Sequence, residues 1–312
     1  MKRTLFALSR LARYKEYTFF VTVTTLLGVA AAGGQFGLKF MGVWAANWLA
    51  VAFAFMINDV EDAEDDALNP EKVHRNPVSA GDLAHRTATW ASMAVALASA
   101  ALYFTLGLWP AILGIISLIL GYLYSWRVVR FKNMPFIDLL SHCMMLAGLQ
   151  FLPGMLAFNT RETFFDWIFP FVFIVCISLY GELFNELRDL DGDMAAGLNH
   201  TASKLGYKRT YWIMMALLSI GVICGGITFF VLKIIPTWVV ITLVALAAIF
   251  IIRPAIKAHK HKTGLAMQQS FQKPLEAAAA LALVAQFLYP WLYPLVQNWV
   301  NWNALLRFFS FQ

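Results

Sequence analysis

The chain has 312 residues, 60% of them hydrophobic and 13% charged, with a formal net charge of +6. A soluble domain carries about 25% charged residues and has no room to hide so much apolar surface, so a water-soluble fold is excluded. The apolar runs are long and do not alternate, which excludes a membrane β-barrel and leaves transmembrane helices, whose backbone groups are satisfied within each segment.

A stretch of roughly 17–25 mostly apolar residues is long enough to cross a bilayer. In chain order this predicts about nine spans: Tyr17–Phe36, Met41–Ile57, Thr87–Leu106, Pro110–Trp126, Phe136–Leu156, Trp167–Phe184, Tyr211–Leu232, Pro236–Ile252 and Leu275–Val296. The expected architecture is all-α, one integral-membrane domain over residues 1–312. The first span has a basic lead-in and the small-residue run Ala30–Gly34. The lead-in is long and the apolar stretch continues past that run, so it reads as an uncleaved anchor rather than a signal peptide. A tight turn is expected between Gly107 and Pro110. Cys143, Cys176 and Cys224 lie inside apolar runs with no short spacing, as buried thiols rather than a disulfide framework or zinc site.

With nine spans, 20 of the 24 Lys and Arg fall on the side of the N-terminus, and only Lys39, Arg161, Lys233 and Arg307 on the other. By the positive-inside rule the N-terminus and the basic face are cytoplasmic and the C-terminus is outside. The acids are placed still less evenly. Eight of the 18 Asp and Glu lie between Asp59 and Asp82, and five more between Glu182 and Asp193. Both clusters start at the end of a span on the cytoplasmic face.

The first cluster reads Asn58-Asp59-Val60-Glu61-Asp62-Ala63-Glu64-Asp65-Asp66. Asn58, Asp62 and Asp66 are four apart, which stacks them on one helix face. Like charges at that spacing repel, and a hard cation such as Mg²⁺ offsets the repulsion while leaving positions open for phosphate oxygens. In the second cluster, Asn185 to Asp193, Asp189 and Asp193 repeat the step, with Glu186 and Glu182 on earlier turns. Two acidic helix ends on one face suggest two metal sites across a cavity, able to hold a diphosphate through bridging cations. Each cluster alone also reads as solvated acids beside a membrane. The shared step and shared face favour the metal reading.

Arg13, Arg75, Arg127, Lys132 and Lys204 are the candidate diphosphate ligands, with Arg86 and Arg130 in the same loops. Each singly also reads as a positive-inside charge meeting lipid head groups. Tyr124 is a candidate to face a carbocation, or else an interfacial tyrosine. His142 is either an acceptor contact or a packed, hydrogen-bonded histidine.

At this point the motifs, in order, resemble those of the UbiA superfamily of intramembrane prenyltransferases. Asn-Asp-x-x-Asp-x-x-x-Asp at 58–66 is similar to its first signature, and Arg75-Asn76-Pro77-Val78-Ser79-Ala80-Gly81 to its Arg-Pro-x-x-x-Gly segment with one residue inserted. Tyr124-Ser125-Trp126-Arg127 through Lys132 and Pro135 resembles the Tyr-Ser loop. Asp189-Leu190-Asp191-Gly192-Asp193, followed by Gly197, Thr201, Leu205 and Gly206, resembles the second Asp-rich motif, taken as 185–193. The resemblance covers about half the chain. It implies a central cavity, Mg²⁺ held by Asn58, Asp62, Asp66, Asp189 and Asp193, ionisation of a prenyl diphosphate, and transfer to a lipophilic acceptor. Catalysis would rest on Asp62, Asp66, Asp189, Asp193 and Tyr124. The acceptor would be aromatic, carotenoid, chlorophyll-type or glycerolipid, with a slight lean towards the last three. The implied partners are the donor, the acceptor and membrane lipid, with no nucleic acid.

Two other readings compete. A CDP-alcohol phosphotransferase needs Asp-Gly-x-x-Ala-Arg with further aspartates, but Asp191-Gly192-Asp193-Met194-Ala195-Ala196 has Ala where Arg is required. A cation-coupled transporter would use carboxylates at membrane depth in two related halves, whereas these carboxylates lie at span ends.

Overall fold

The computed structural model describes residues 2–70, 72–158, 163–195, 199–258 and 264–299, without the side chains of 2, 3, 192, 193, 195, 264–269 and 292–299. Among them there are helices and turns and no strand. The helices are α1 (Lys2–Leu11), α2 (Thr18–Ala31), α3 (Leu38–Glu61), α4 (Ala63–Ala67), α5 (His85–Leu106), α6 (Leu108–Ser125), α7 (Ile137–Phe158), α8 (Phe164–Ala195), α9 (Thr201–Leu205), α10 (Tyr207–Val231), α11 (Thr237–Ala258) and α12 (Gly264–Trp299).

Every predicted apolar run falls on a helix. Among the described residues seven helices are long and apolar enough to cross a membrane: α3, α5, α6, α7, α8, α10 and α11. α2 has only 14 residues, about 21 Å at 1.5 Å per residue against a hydrocarbon core of about 30 Å. The residues after Ala32 leave the helix: Gly33 takes φ 68°, a left-handed value natural to glycine that ends the helix before Phe36. α12 runs 36 residues and carries Lys273 and Glu276 in its first half.

The turn expected at 107–110 is a single residue. Gly107 has φ 120° and ψ 173°, open to glycine, and joins the end of α5 to the start of α6. Pro110 sits in the first turn of α6, where no intrahelical partner for its missing N–H is lost.

Small residues bring α2 and α7 together backbone to backbone. A Cβ on Gly28 would stand 2.2 Å from the carbonyl oxygen of Phe151, and one on Gly154 would stand 2.7 Å from that of Thr25. Close approach of this kind is how helices associate where lipid removes the hydrophobic drive between them. A buried polar knot adds to it. The Asn47 amide donates to Thr25 Oγ1 (2.7 Å) and the Gln150 carbonyl (2.6 Å), and receives the Tyr103 hydroxyl (2.6 Å), tying α2, α3, α5 and α7. Apolar side chains on the outer faces of α10 and α11, such as Ile223 and Phe250, are exposed, as lipid-facing residues should be. A separate cluster of Leu183, Phe184, Leu187, Leu190, Ala202 and Met214 locks α8, α9 and α10 beneath the second acidic motif.

Candidate active site

The first motif sits where α3 hands over to α4. The helix bends at Asp62 (φ −87°, ψ −1°), yet the four-residue step survives: Asp62 N–H donates to the Asn58 carbonyl (2.9 Å) and Asp66 N–H to that of Asp62 (2.8 Å). Asn58, Asp62 and Asp66 therefore stay on one face. Asn76 pins the last of them. Its amide donates to the Asp59 carbonyl (2.7 Å) and to Asp66 Oδ2 (3.0 Å), while its Oδ1 accepts from Val78 N–H in an Asx-type turn.

The loop after α6 folds over this face. Ser125 Oγ donates to Asn58 Oδ1 (3.1 Å). Arg130, held at φ 50°, turns its guanidinium back to Asp62 Oδ1 (3.1 Å) and Asp65 Oδ2 (2.8 Å). Lys132 donates to Asn58 Oδ1 (3.0 Å) and to Asp62 Oδ2. Arg127 is more open, reaching Glu64 Oε2 (2.5 Å) and the Glu61 carbonyl (2.8 Å). The charges respond accordingly. The hydrogen bond from Arg130 holds Asp65 below the usual carboxylate range, and the bond that Arg127 donates to Glu64 raises Arg127. Burial pulls the Lys132 ammonium below an ordinary lysine, against the opposing pull of Asp62.

The second acidic cluster has another construction. Glu182, Glu186 and Asp189 share a face of α8 at steps of four and three. Glu186 Oε2 accepts from Ala202 N–H (2.7 Å) and lies 3.2 Å from His200 Nδ1. Asp138, in the first turn of α7, takes Thr201 N–H on one oxygen (2.7 Å), and Thr201 Oγ1 (2.5 Å) and Leu139 N–H (2.7 Å) on the other. Thr201 Oγ1 in turn accepts from Phe136 N–H (2.6 Å). Thr201 thus bolts the start of α9 to the end of the basic loop. Glu182 Oε2 stands 3.2 Å from His142 Nε2. Tyr124 lies between the clusters, within electrostatic reach of Glu182, Asp138, Glu186 and Asp62, its ring edge-on to His142 at 6.1 Å between centroids.

Asn58, Asp62, Asp66, Arg127, Lys132 and Tyr124 are brought together. Asp189 instead pairs with its neighbour Arg188 (Nε to Oδ1, 2.7 Å), and no bond or ion pair among the described residues joins it to the first cluster. The side chain of Asp193, and Gly197, lie outside the described residues. Arg13 and Arg75 stand one layer out. Arg13 donates to Asp59 Oδ1 (3.1 Å) and to Glu16 Oε2 (2.7 Å), and Arg75 also donates to Glu16 (2.9 Å). Lys204 is exposed in the last turn of α9. Sequence reasoning gave no role to Asp138, His200 or the Thr201 bolt. Their signal was a lone Asp opening a span and a Thr after the second motif.

The donor set suits a hard cation. Asn58 Oδ1 and Asp62 Oδ2 converge on one ammonium, that of Lys132, so two oxygens of the kind Mg²⁺ prefers already face a positive charge. Among the described residues no three His, Cys, Asp or Glu side chains close on one point, so oxygens from a bound substrate would have to complete the shell.

A model of the UbiA prenyltransferase family matches residues 20–273. The chain belongs to that family. It is 33% identical over 174 residues to the lycopene elongase/hydratase of Haloarcula japonica, covering 53% of this chain and 55% of that protein. It is 28% identical over 193 residues to the digeranylgeranylglyceryl phosphate synthase of Thermococcus kodakarensis, covering 61% of this chain and 66% of that one. The chain therefore matches between about half and two thirds of the length of these relatives. The fold is that of a UbiA homolog from Archaeoglobus fulgidus bound to GPP and Mg²⁺, at a TM-score of 0.64 and 20% identity, over 89% of this chain and 99% of that one. Like its UbiA relatives the chain is an integral membrane protein.

Proposed function

We propose that this UbiA-family protein transfers a prenyl group from a Mg²⁺-bound prenyl diphosphate to a lipophilic acceptor within the membrane, from a site open to the cytoplasmic face. One observation carries the reading: two hard oxygen donors, Asn58 Oδ1 and Asp62 Oδ2, meet one cation, Lys132, within a basic loop. A diphosphate entering there finds Lys132, Arg130 and Arg127 as partners. Mg²⁺ held by Asn58, Asp62 and Asp66, with Asp189 and Asp193 on the opposite motif, would neutralise the diphosphate and make it a better leaving group. The two relatives named above point the acceptor towards carotenoids or glycerolipids. Nine spans with the N-terminus cytoplasmic, counting α2 and α12 as membrane helices, put both motifs on the basic face.

The residues divide the work. Lys132 and Arg130 exchange their carboxylate partners for the departing diphosphate, whose negative charge grows as the C–O bond breaks. The Tyr124 ring offers a π-face to the allylic cation. The Thr201 bolt, with Asp138, fixes the end of the basic loop so that its cations arrive in position.

Thermal melting of the purified protein in detergent tests donor binding. A non-hydrolysable prenyl diphosphate analogue with Mg²⁺ should raise Tm, by about 2.7 kcal/mol of stabilisation at 100 times Kd, and Mg²⁺-free buffer with EDTA should remove most of the shift. A shift with Mg²⁺ alone, coupled to cation flux in proteoliposomes and indifferent to the analogue, would favour the transporter.

A further inference from the structure

Prenyl transfer leaves a proton to be placed, and the first motif is poorly suited to take it. When the C1–O bond of the donor breaks, its electron pair departs with diphosphate. The acceptor then supplies an electron pair to C1, from a hydroxyl oxygen or from a carbon–carbon double bond. In each case one proton must leave: from the hydroxyl, from the carbon beside the cation left on an opened double bond, or from a water that adds to that cation. Asp62 faces Lys132 and Arg130, so both of its oxygens are already taken by cations.

Around Tyr124 the other carboxylates are also committed. Glu186 takes Ala202 N–H and His200, and Asp138 takes both polar groups of Thr201. Glu182 is different. Its partner is the ring of His142, 3.2 Å away, and the two side chains keep 13% and 21% of their surface open. The His142 ring also lies against the edge of Tyr124. Among the described residues His142 Nδ1 has no hydrogen-bond partner. The chain widens immediately after it, in a π-turn over Met144–Gly148, a feature frequent at functional sites. Glu182 is seven residues before Asp189 on α8, about 10 Å further along the helix by its rise.

Resting on the prenyl-transfer reading, we propose that His142 and Glu182 form the proton-accepting dyad of the reaction, His142 being the catalytic base. The Glu182 carboxylate, 3.2 Å from Nε2, orients the ring and stabilises the imidazolium. Nδ1 receives the proton released by the acceptor as the new bond to C1 forms, and passes it on to water. A carboxylate–imidazole pair fits any neutral acceptor with a hydroxyl or alkene, and has no use for an acceptor that is already an anion at its reacting atom.

Partition of the donor tests this. Wild type, His142→Gln and Glu182→Gln are given a prenyl diphosphate, Mg²⁺ and a lipid extract of acceptors. Diphosphate, prenylated acceptor and free prenyl alcohol are each measured. His142→Gln should release diphosphate within about threefold of wild type, yet form at least tenfold less prenylated acceptor, with prenyl alcohol from water capture making up the difference. Glu182→Gln should shift the partition the same way but less, since the imidazole remains. Unchanged partition in His142→Gln, whether the total rate holds or falls, overturns the dyad while leaving prenyl transfer standing. No diphosphate release by wild type overturns the transfer reading and the dyad with it.

Discussion

Asp62→Asn should cut turnover by roughly 10²–10³-fold, about 2.7–4 kcal/mol of transition-state stabilisation, the loss typical of deleting one preorganised charge contact. The substitution keeps the side-chain volume and an oxygen facing Asn58 and Lys132, so folding and insertion should survive. Among the described residues Asp62 is the one carboxylate that touches Asn58, Arg130 and Lys132 together, which is why the effect should exceed that of Asp65→Asn on the exposed side of the same turn. Product formation at saturating donor, beside a thermal midpoint within a few degrees of wild type, checks it. Full activity in Asp62→Asn would remove the motif from the reaction.

Lys132→Met should be nearly as severe, about 10²-fold in turnover, through loss of a cation on the leaving group. It should also change the metal dependence in an unusual direction. In the wild type the ammonium occupies the point on which Asn58 Oδ1 and Asp62 Oδ2 converge, so Lys132 competes with a divalent cation until diphosphate draws it away. Removing it should lower the Mg²⁺ concentration needed for half-maximal rate even as the maximal rate falls. A Mg²⁺ titration of the variant against wild type reads both quantities at once. A higher Mg²⁺ requirement in Lys132→Met would show that the lysine assists the metal instead.

Much of this site was legible from local periodicity, and the reason lies in what helices fix. Asn58, Asp62 and Asp66 could be stacked on one face from their spacing alone, and the bend at Asp62 did not disturb that because the i to i−4 bonds continue through it. The apolar runs likewise marked the helices, although α2 ends earlier than its composition suggests, at a glycine with positive φ. Contacts across long separations were not legible. Lys132 meets Asp62 across 70 residues, and Thr201 meets Asp138 across 63. Such pairings depend on how helices pack and on where loops such as 126–136 fold back, which no periodicity encodes. Arg13 and Arg75 illustrate the same limit: Asp59 and Glu16 hold them one layer outside the first motif. His142 offered two readings as an isolated histidine in an apolar run, and only its position opposite Glu182 gives it a chemistry.

The central claim is tested most directly by diphosphate release from the purified protein in nanodiscs, using a panel of prenyl diphosphates with and without Mg²⁺ and an extract of membrane lipids. The account predicts Mg²⁺-dependent release matched by a prenylated lipid of the corresponding added mass. Folded protein that releases no diphosphate from any donor in the presence of Mg²⁺ would contradict it.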